Sequence, residues 1–295
     1  SDGNVIEVDG LVKRYGGFTA LHGISFAVRG GSVTAFLGLN GAGKSTTLRV
    51  LSCFLPPTSG TVTVAGHDAV RASEAVRREI GYLPESVPLH PEMKVGEYLR
   101  FRARLKGVAA TEVSAAVSQA ASRCKVDDVV AAPIGSLSKG YRQRVGIADA
   151  IVHRPKVLIL DEPTSGLDPA QRLQVRALVK ELGSDRTVFV STHIIPEVEA
   201  TCDDIVVIHR GRIVASGPLA SMARGGGVRI IFEKASLPNA DLRDDGRSQA
   251  VFASAELASS AAAAVVKQGG TLHELAPVRE GLEAAFSRLT TGADA

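Results

Sequence analysis

A glycine-rich segment directly after a short apolar run constrains the fold of this chain more than any other feature. The run 33–37 has the length of a buried strand, and a helix predicted from Ser45 is stopped by Pro56 and Pro57. The segment between them fits the pattern G-x-x-x-x-G-K-[ST] and consists of Gly38, Leu39, Asn40, Gly41, Ala42, Gly43, Lys44, Ser45 and Thr46. Its glycines let backbone N–H groups point at phosphate oxygens beside a helix N-terminus. We therefore predict a strand, a phosphate-binding loop and a helix.

Strands and helices alternate on both sides of this loop. Hydrophobic residues make up 45% of the 295 residues, which is ample for a buried core. The predicted strands are residues 5–8, 21–28, 157–160 and 187–190, with a hairpin at 205–215, and the predicted helices are residues 142–152 and 170–182. This alternation predicts an α/β fold with a parallel sheet that is covered on both faces.

Two further regions differ from this pattern. Helical spacing at residues 95–106 and 111–123 predicts a helical insert over about residues 85–150. The glycines 225–227 predict a linker, so the first domain is expected to span residues 1–224. Residues 228–295 then predict a small α+β domain, in the order strand, strand, Ala-rich helix (256–267), strand and helix (280–289).

Composition and charge exclude several classes of function. The formal net charge of +3 is small, and the basic residues are dispersed without interleaved aromatic residues, so we predict no nucleic-acid partner. The three cysteines lie far apart in the sequence, which favours a reducing compartment. No run approaches the roughly 20 apolar residues of a membrane-spanning helix, and the polar N-terminus predicts no secretory signal. Any membrane function would need another chain.

Two adjacent acidic residues follow one of the predicted buried strands. Asp161 stands at the carboxyl end of the strand 157–160, where such sheets bind their ligands, and it suits coordination of Mg²⁺. Glu162 could act as general base towards an attacking water. In the phosphate-binding loop, Lys44 would neutralise the β- and γ-phosphates, and Ser45 would offer its hydroxyl to Mg²⁺. The alternative for each carboxylate is a simple helix-capping role.

A third segment lies between the loop and this carboxylate pair. Ser138 precedes a predicted helix and is a natural N-cap, so the N–H groups of Lys139 and Gly140 favour an anion. Taken alone, the segment predicts no more than a capped helix.

Together and in this order, the phosphate-binding loop, residues 137–144 and residues 158–168 resemble the motifs of the ATP-binding subunit of an ATP-binding-cassette (ABC) transporter. The resemblance covers about residues 4–220. It implies a P-loop NTPase cassette, α/β with a mixed sheet and a helical insert. It also implies ATP and Mg²⁺ held between two head-to-tail subunits, with a separate integral-membrane permease as partner at the cytoplasmic face of the cell membrane. One chain carries every motif needed for two equivalent sites, which favours a homodimer and leaves a heterodimer open.

The resemblance also assigns further residues to the site. It implies that Ser138 and Gly140 contact the γ-phosphate of ATP held by the opposite subunit. It implies that His193 contacts the γ-phosphate and the catalytic water, and that Tyr15 stacks on adenine. Asp168 would lie in the loop that couples the two sites. Lys139 and Tyr141 replace the commoner glycine and glutamine of the family.

A second departure from the family lies at residues 81–85. Glu85 stands where most cassette ATPases have a glutamine that senses Mg²⁺ and water. We predict that Glu85 binds Mg²⁺, although the same residue could be a solvated loop glutamate. Residues 81–89, together with Lys139, Gly140 and Tyr141, most resemble subunits of the ABC-2 type, which serve multidrug, gliding-motility-associated and related export systems.

Two other functions remain open from the sequence. One is a soluble cassette ATPase that remodels a protein complex, although such proteins often contain two cassettes and this chain has one phosphate-binding loop. The other is an ATP-dependent regulatory module that signals through the C-terminal domain.

Overall fold

The structure, a computed structural model, describes residues 3–222, 227–278 and 281–292. The chain divides into two compact units, Ser1–Gly217 and Pro218–Ala295. Gly225 and Gly226 of the predicted linker lie outside the described residues. The domain limits predicted from the sequence, at residues 224 and 228, remain a prediction.

The first unit contains ten strands and seven α-helices among its described residues. The strands are β1 (Asn4–Tyr15), β2 (Phe18–Arg29), β3 (Val33–Leu37), β4 (Ser59–Val64), β5 (His67–Asp68), β6 (Ile80–Leu83), β7 (Val157–Asp161), β8 (Thr187–Thr192), β9 (Asp204–His209) and β10 (Arg212–Pro218). The helices are α1 (Lys44–Leu51), α2 (Ser73–Glu79), α3 (Val95–Leu105), α4 (Val113–Arg123), α5 (Lys139–Ile151), α6 (Pro169–Leu182) and α7 (Ile195–Thr201).

A six-stranded sheet in the order β10-β9-β3-β8-β7-β6 forms the centre of this unit. The pairs β9–β3, β3–β8, β8–β7 and β7–β6 are all parallel. In the register, Leu37 pairs with Thr192, and Asp161 pairs with Ser191. The carboxyl ends of β3, β8 and β7 therefore meet at one edge of the sheet, and the loops that follow them start side by side.

The predicted parallel sheet is confirmed, and its two faces pack against different partners. Leu158 and Leu160 of β7 join a core cluster with the helices of the insert. Val157 and Ile159, on the other face, join a cluster with the antiparallel sheet β2-β1-β4-β5. Each of these side chains is fully buried, which stabilises the fold by about 1.5–3 kcal/mol for a large aliphatic residue.

The helical insert is fastened by a buried carboxylate. Asp149 on α5 accepts hydrogen bonds from Arg102 Nε (2.9 Å) and Tyr98 Oη (3.3 Å) of α3, and Lys106 Nζ lies 2.9 Å from its Oδ1. Burial acts to raise the pKa of Asp149, but Lys106 and Arg102 outweigh it and hold this pKa below its usual range. This ion cluster joins α3 to α5 across the insert.

Several elements of the first unit were not predicted. The sequence pattern predicted neither the strands β4, β5 and β6 nor the helices α2 and α7. The strand β6 is the most consequential omission, because it forms one edge of the parallel sheet beside β7. The helix α5 begins at Lys139, earlier than the predicted start at Arg142, and Ser138 is its N-cap as predicted.

The second unit is a four-stranded antiparallel sheet with helices. Its elements are α8 (Leu219–Met222), β11 (Val228–Glu233), β12 (Asp241–Leu242), β13 (Ser248–Phe252), α9 (Ala255–Lys267), β14 (Thr271–Pro277) and α10 (Leu282–Gly292). The strand order is β12-β13-β11-β14, and α9 packs on the sheet around Ile230, Phe232 and Val265. The predicted order of elements is confirmed for the described residues, with one additional short strand, β12. Residue 280 of the last predicted helix lies outside the described residues.

Candidate nucleotide-binding site

The glycine-rich loop connects the end of β3 to the start of α1. Gly43 is the N-cap of α1 and has a φ of 107°, a left-handed conformation that favours glycine. A Cβ atom at Gly43 would lie 2.7 Å from Leu21 Cδ2 and 3.2 Å from the Ala20 carbonyl oxygen. The tight packing of this glycine keeps the backbone N–H groups of the loop at the helix N-terminus, as an anion-binding loop requires.

An open cleft of about 430 Å³ lies over this loop. Most of the predicted nucleotide-binding residues line it together, whereas Gly38 and Ala42 of the same loop are buried behind it. Phe18 also lines the cleft and pairs with Tyr15 at the end of the β1–β2 hairpin. Phe18 was not predicted from the sequence, although an aromatic residue just after the Gly16-Gly17 turn was a usable signal. The full lining is Tyr15, Phe18, Ala20, Leu39, Asn40, Gly41, Gly43, Lys44, Ser45, Thr46, Glu85 and Glu162.

Three of the predicted catalytic residues are in contact. Lys44 Nζ lies 3.2 Å from Glu162 Oε1 and donates a 2.6 Å hydrogen bond to the Gly38 carbonyl oxygen. His193 Nδ1 lies 3.0 Å from Glu162 Oε2. The side chains of Lys44 and Glu162 are only 6% and 7% exposed, whereas that of His193 is 41% exposed. A buried carboxylate is therefore held between a cation and an accessible imidazole.

The backbone of Glu162 is fixed by the neighbouring strand. Glu162 has a φ of 47°, in the left-handed region that is costly for a residue other than glycine. Its N–H donates to both the carbonyl oxygen (3.2 Å) and Oγ (3.0 Å) of Ser191. Ser191 Oγ in turn donates a 2.6 Å hydrogen bond to Asp161 Oδ1. Ser191 thus holds the Asp161 carboxylate and the Glu162 backbone, a role that only the β7–β8 register shows.

The predicted magnesium ligands suit that ion. Among the residues that the structure describes, no group of three or more His, Cys, Asp or Glu side chains could hold a metal. Mg²⁺ commonly takes only one or two protein ligands besides phosphate and water. Asp161 offers a buried carboxylate that Ser191 orients, and Ser45 offers a hydroxyl in the cleft. Glu85 lines this cleft and also a second cleft of about 690 Å³ that contains Asp161.

Tyr82, on β6, lies close to the Asp161 carboxylate. Burial raises the pKa of Tyr82 to about 12, and the charge of Asp161 adds to the rise. The phenol therefore keeps its proton at neutral pH, so that the Tyr82 side chain adds no negative charge beside Asp161.

The other predicted site residues lie at the N-terminal ends of two helices rather than in the lining of the nucleotide cleft. Ser138 Oγ accepts a 3.3 Å hydrogen bond from Tyr141 N at the start of α5, and Ser138 itself is exposed. A Cβ at Gly140 would lie 2.7 Å from Gln171 Cδ, so this glycine lets α5 approach α6 closely. Asp168 is the N-cap of α6 and accepts a 2.9 Å hydrogen bond from Gln171 N.

The first unit is similar to proteins of known class. The family model described as ABC transporter matches residues 21–165. The daunorubicin resistance ATP-binding protein DrrA3 of Streptomyces coeruleorubidus is 39% identical over 227 residues, which are 76% of this chain and 72% of that protein. The Nod factor export ATP-binding protein I of Ralstonia nicotianae is 36% identical over 214 residues, 72% of this chain and 67% of that protein. The solved structure of cbiO1 from Clostridium perfringens, part of the ABC transporter complex cbiONQ, has a TM-score of 0.67 at 31% identity and covers 73% of this chain and 89% of its own.

These similarities define the class of protein. The chain belongs to the family of ABC transporter ATP-binding proteins, and its first unit has the P-loop NTPase cassette fold. It is an ATP-binding subunit of an ABC transporter, and its enzymatic activity is the hydrolysis of ATP. No helix in the described part of the chain has the length and apolar character needed to cross a membrane.

Proposed function

We propose that two copies of this chain bind Mg·ATP between them and drive the export of a substrate through a separate membrane permease. In each of the two sites, one protomer supplies the phosphate-binding loop with Lys44 and Ser45. The other protomer supplies Ser138 and Gly140. The contact that most supports this proposal is the Lys44–Glu162–His193 arrangement, which joins a phosphate-neutralising cation to a candidate base.

The geometry gives each residue of this arrangement a separate task. Phosphoryl transfer needs positioning and charge stabilisation more than covalent chemistry from the protein. Glu162 would take the proton of the water whose oxygen attacks the γ-phosphorus, while the bond to the ADP oxygen breaks. His193 would hold this water and the γ-phosphate, and Lys44 would balance the phosphate charge. Asp161 and Ser45 would hold Mg²⁺, which supplies further charge neutralisation at the phosphates.

The two halves of the proposed site are built on different parts of one chain. Ser138 is exposed at the end of α5 and lies outside the lining of the cleft that contains Lys44. A head-to-tail dimer would bring Ser138 of one protomer to the nucleotide of the other. Tyr15 and Phe18, at the mouth of the cleft, would stack on the adenine base.

A mixed-dimer experiment tests the proposed site. Lys44→Ala and Ser138→Arg should each abolish hydrolysis when present alone. In a dimer of one chain of each kind, both defects fall in one site and the second site is intact. Mixing the two inactive proteins should therefore restore hydrolysis. A mixture that stays inactive under conditions where the wild-type chain forms dimers would contradict the shared site.

The export function is supported by the relatives. One is named for daunorubicin resistance and another for Nod factor export. We expect this chain to associate with a polytopic membrane protein at the cytoplasmic face of the cell membrane. Purification of the tagged chain from membranes of its source tests this: a stoichiometric polytopic partner is expected, and a stable complex with soluble proteins alone would favour the remodelling function.

A further inference from the structure

A buried carboxylate on α7 lies beneath the catalytic loops. Glu197 is 7% exposed, and neither the sequence nor the proposed chemistry gives it a task. Its Oε2 accepts a 2.8 Å hydrogen bond from Thr164 Oγ1 and a longer one, 3.5 Å, from Thr192 Oγ1. One carboxylate oxygen is therefore shared by hydroxyl groups from the loop after β7 and from the end of β8.

The two threonines are close neighbours of the Glu162–His193 pair along the chain. Thr164 follows Glu162 by two residues, and its loop is closed by a hydrogen bond from Ser165 N to the Glu162 carbonyl oxygen (3.0 Å). Thr192 directly precedes His193, and Thr192 Oγ1 also accepts a 3.0 Å hydrogen bond from Ile194 N. Glu197 is thus linked through Thr192 to the backbone on both sides of His193. It is linked through Thr164 to the turn that starts at Glu162.

The second oxygen of Glu197 faces a cation. Arg172 Nε lies 3.6 Å from Glu197 Oε1, and Arg172 Nη2 donates to the Leu167 carbonyl oxygen at 3.4 Å. The cavity beside this cluster is only about 20 Å³ and is lined by Thr164, Thr192 and Glu197. So little free space restricts rotation of the Glu197 carboxylate away from the two threonines.

We propose that Glu197 is a positioning residue that holds Glu162 and His193 in register through Thr164 and Thr192. This proposal rests on the proposed roles of Glu162 and His193. Glu197 contacts no reacting atom; it fixes the two loops so that the imidazole and the carboxylate meet at 3.0 Å. Removing its charge frees the loop that carries His193 and leaves Arg172 without its buried partner.

Kinetics and stability of four variants test the proposal. Glu197→Gln should lower kcat about tenfold, as outer partners of catalytic groups commonly do, with little change in KM for ATP. Thr164→Val and Thr192→Val keep the side-chain shape and each remove one hydroxyl contact, so smaller losses of kcat are expected. The matched control is Asp149→Asn, an equally buried carboxylate that joins α3 to α5; it should lower Tm but leave kcat unchanged.

A double variant of Glu197 and His193 separates a positioning role of Glu197 from a general effect on stability. If Glu197 acts in part through His193, the double variant Glu197→Gln, His193→Ala should lose less kcat than the product of the two single losses predicts. The histidine ring-proton NMR signal that is lost in His193→Ala should also shift in Glu197→Gln and stay in place in Asp149→Asn. Losses that multiply in the double variant, or a His193 signal that does not move in Glu197→Gln, would overturn the proposal.

Measuring kcat of the catalytic-residue variants alongside distinguishes a failure of the positioning proposal from a failure of the proposed function. If Glu162→Gln and His193→Ala both keep wild-type kcat, the proposed catalytic roles fail. If both lose activity but Glu197→Gln, Thr164→Val and Thr192→Val do not, only the positioning role fails.

Discussion

The two halves of the proposed site differ in how completely one chain builds them. At the ends of β3 and β7, Lys44, Asp161 and Glu162 are buried and are held by contacts within the chain. At the start of α5, Ser138 is exposed and its hydroxyl contacts only its own helix among the described residues. The first half is preorganised by folding of one chain. The second half would contact a nucleotide only when two protomers associate. Substitutions in the first half should therefore act within one chain, whereas the effect of substitutions in the second should depend on the paired protomer.

The largest expected effect is that of Glu162→Gln in the buried half. Loss of a general base typically lowers a rate by about 10²–10⁴-fold, and hydrolysis should fall by that much while ATP binding is kept. ATP-dependent dimerisation should increase, since the nucleotide that closes the dimer is no longer consumed. Turnover assays measure the hydrolysis, and size-exclusion chromatography with ATP measures the dimerisation. Glu181→Gln, at an exposed position of α6, is the control. Normal hydrolysis by Glu162→Gln would remove this residue from the role of base.

A smaller loss is expected for Ser138→Ala in the open half. The substitution would remove the proposed hydrogen bond from Ser138 to a charged phosphate, worth about 1.5 kcal/mol, so kcat should fall about tenfold. For the isolated wild-type chain, activity per molecule should rise with protein concentration as dimers form. Both are measured by ATPase assays over a dilution series. Activity per molecule that stays constant down to concentrations where the chain is monomeric would show that one chain makes a complete site.

Glu85→Gln tests the exposed residue that lines both clefts. An exposed charge contributes at most about 1 kcal/mol, so the Mg²⁺ concentration needed for half-maximal hydrolysis should rise by no more than about fivefold. Glu92→Gln, also exposed and close along the chain, serves as the control. Identical Mg²⁺ dependence and turnover in wild type and Glu85→Gln would exclude Glu85 as a ligand.

The smallest effect is expected for Lys139→Gly, which restores the commoner residue of the family. The Lys139 ammonium is exposed and lies where a side chain at Gly166 would stand. A contact within one chain at the surface contributes little, so turnover should change less than about twofold. Lys139→Met controls for the added flexibility of glycine. A loss above tenfold that diminishes at high salt would instead place Lys139 on the phosphate of the partner's nucleotide.

The sequence predicted the buried half better than its surroundings. A complete loop pattern between a strand and a helix, and acidic residues after an apolar run, carry their own structural context, and the structure brings Lys44, Glu162 and His193 into contact. The strand β6 was missed because its four residues are too few to show a period. The strand β4 could have been found, since Val62 and Val64 alternate with polar residues.

The supporting residues could not be predicted in the same way. Ser191 orients Asp161 only because β8 pairs with β7 in one particular register. Glu197 lies on α7, a helix of seven residues with no apolar period of its own. Hydrogen bonds between residues that are distant in sequence depend on the sheet order, which the strand pattern of a single chain does not determine.

The charge balance at the ends of β3 and β7 has a thermodynamic consequence. Two carboxylates, Asp161 and Glu162, are buried there with one ammonium, that of Lys44. A nucleoside triphosphate bound at the proposed site would add more negative charge to this edge, and a divalent cation would offset it. The free energies of binding for nucleotide and cation are therefore linked, and each must lower the dissociation constant of the other by the same factor. A titration with either one, at fixed concentrations of the other, measures a single coupling free energy.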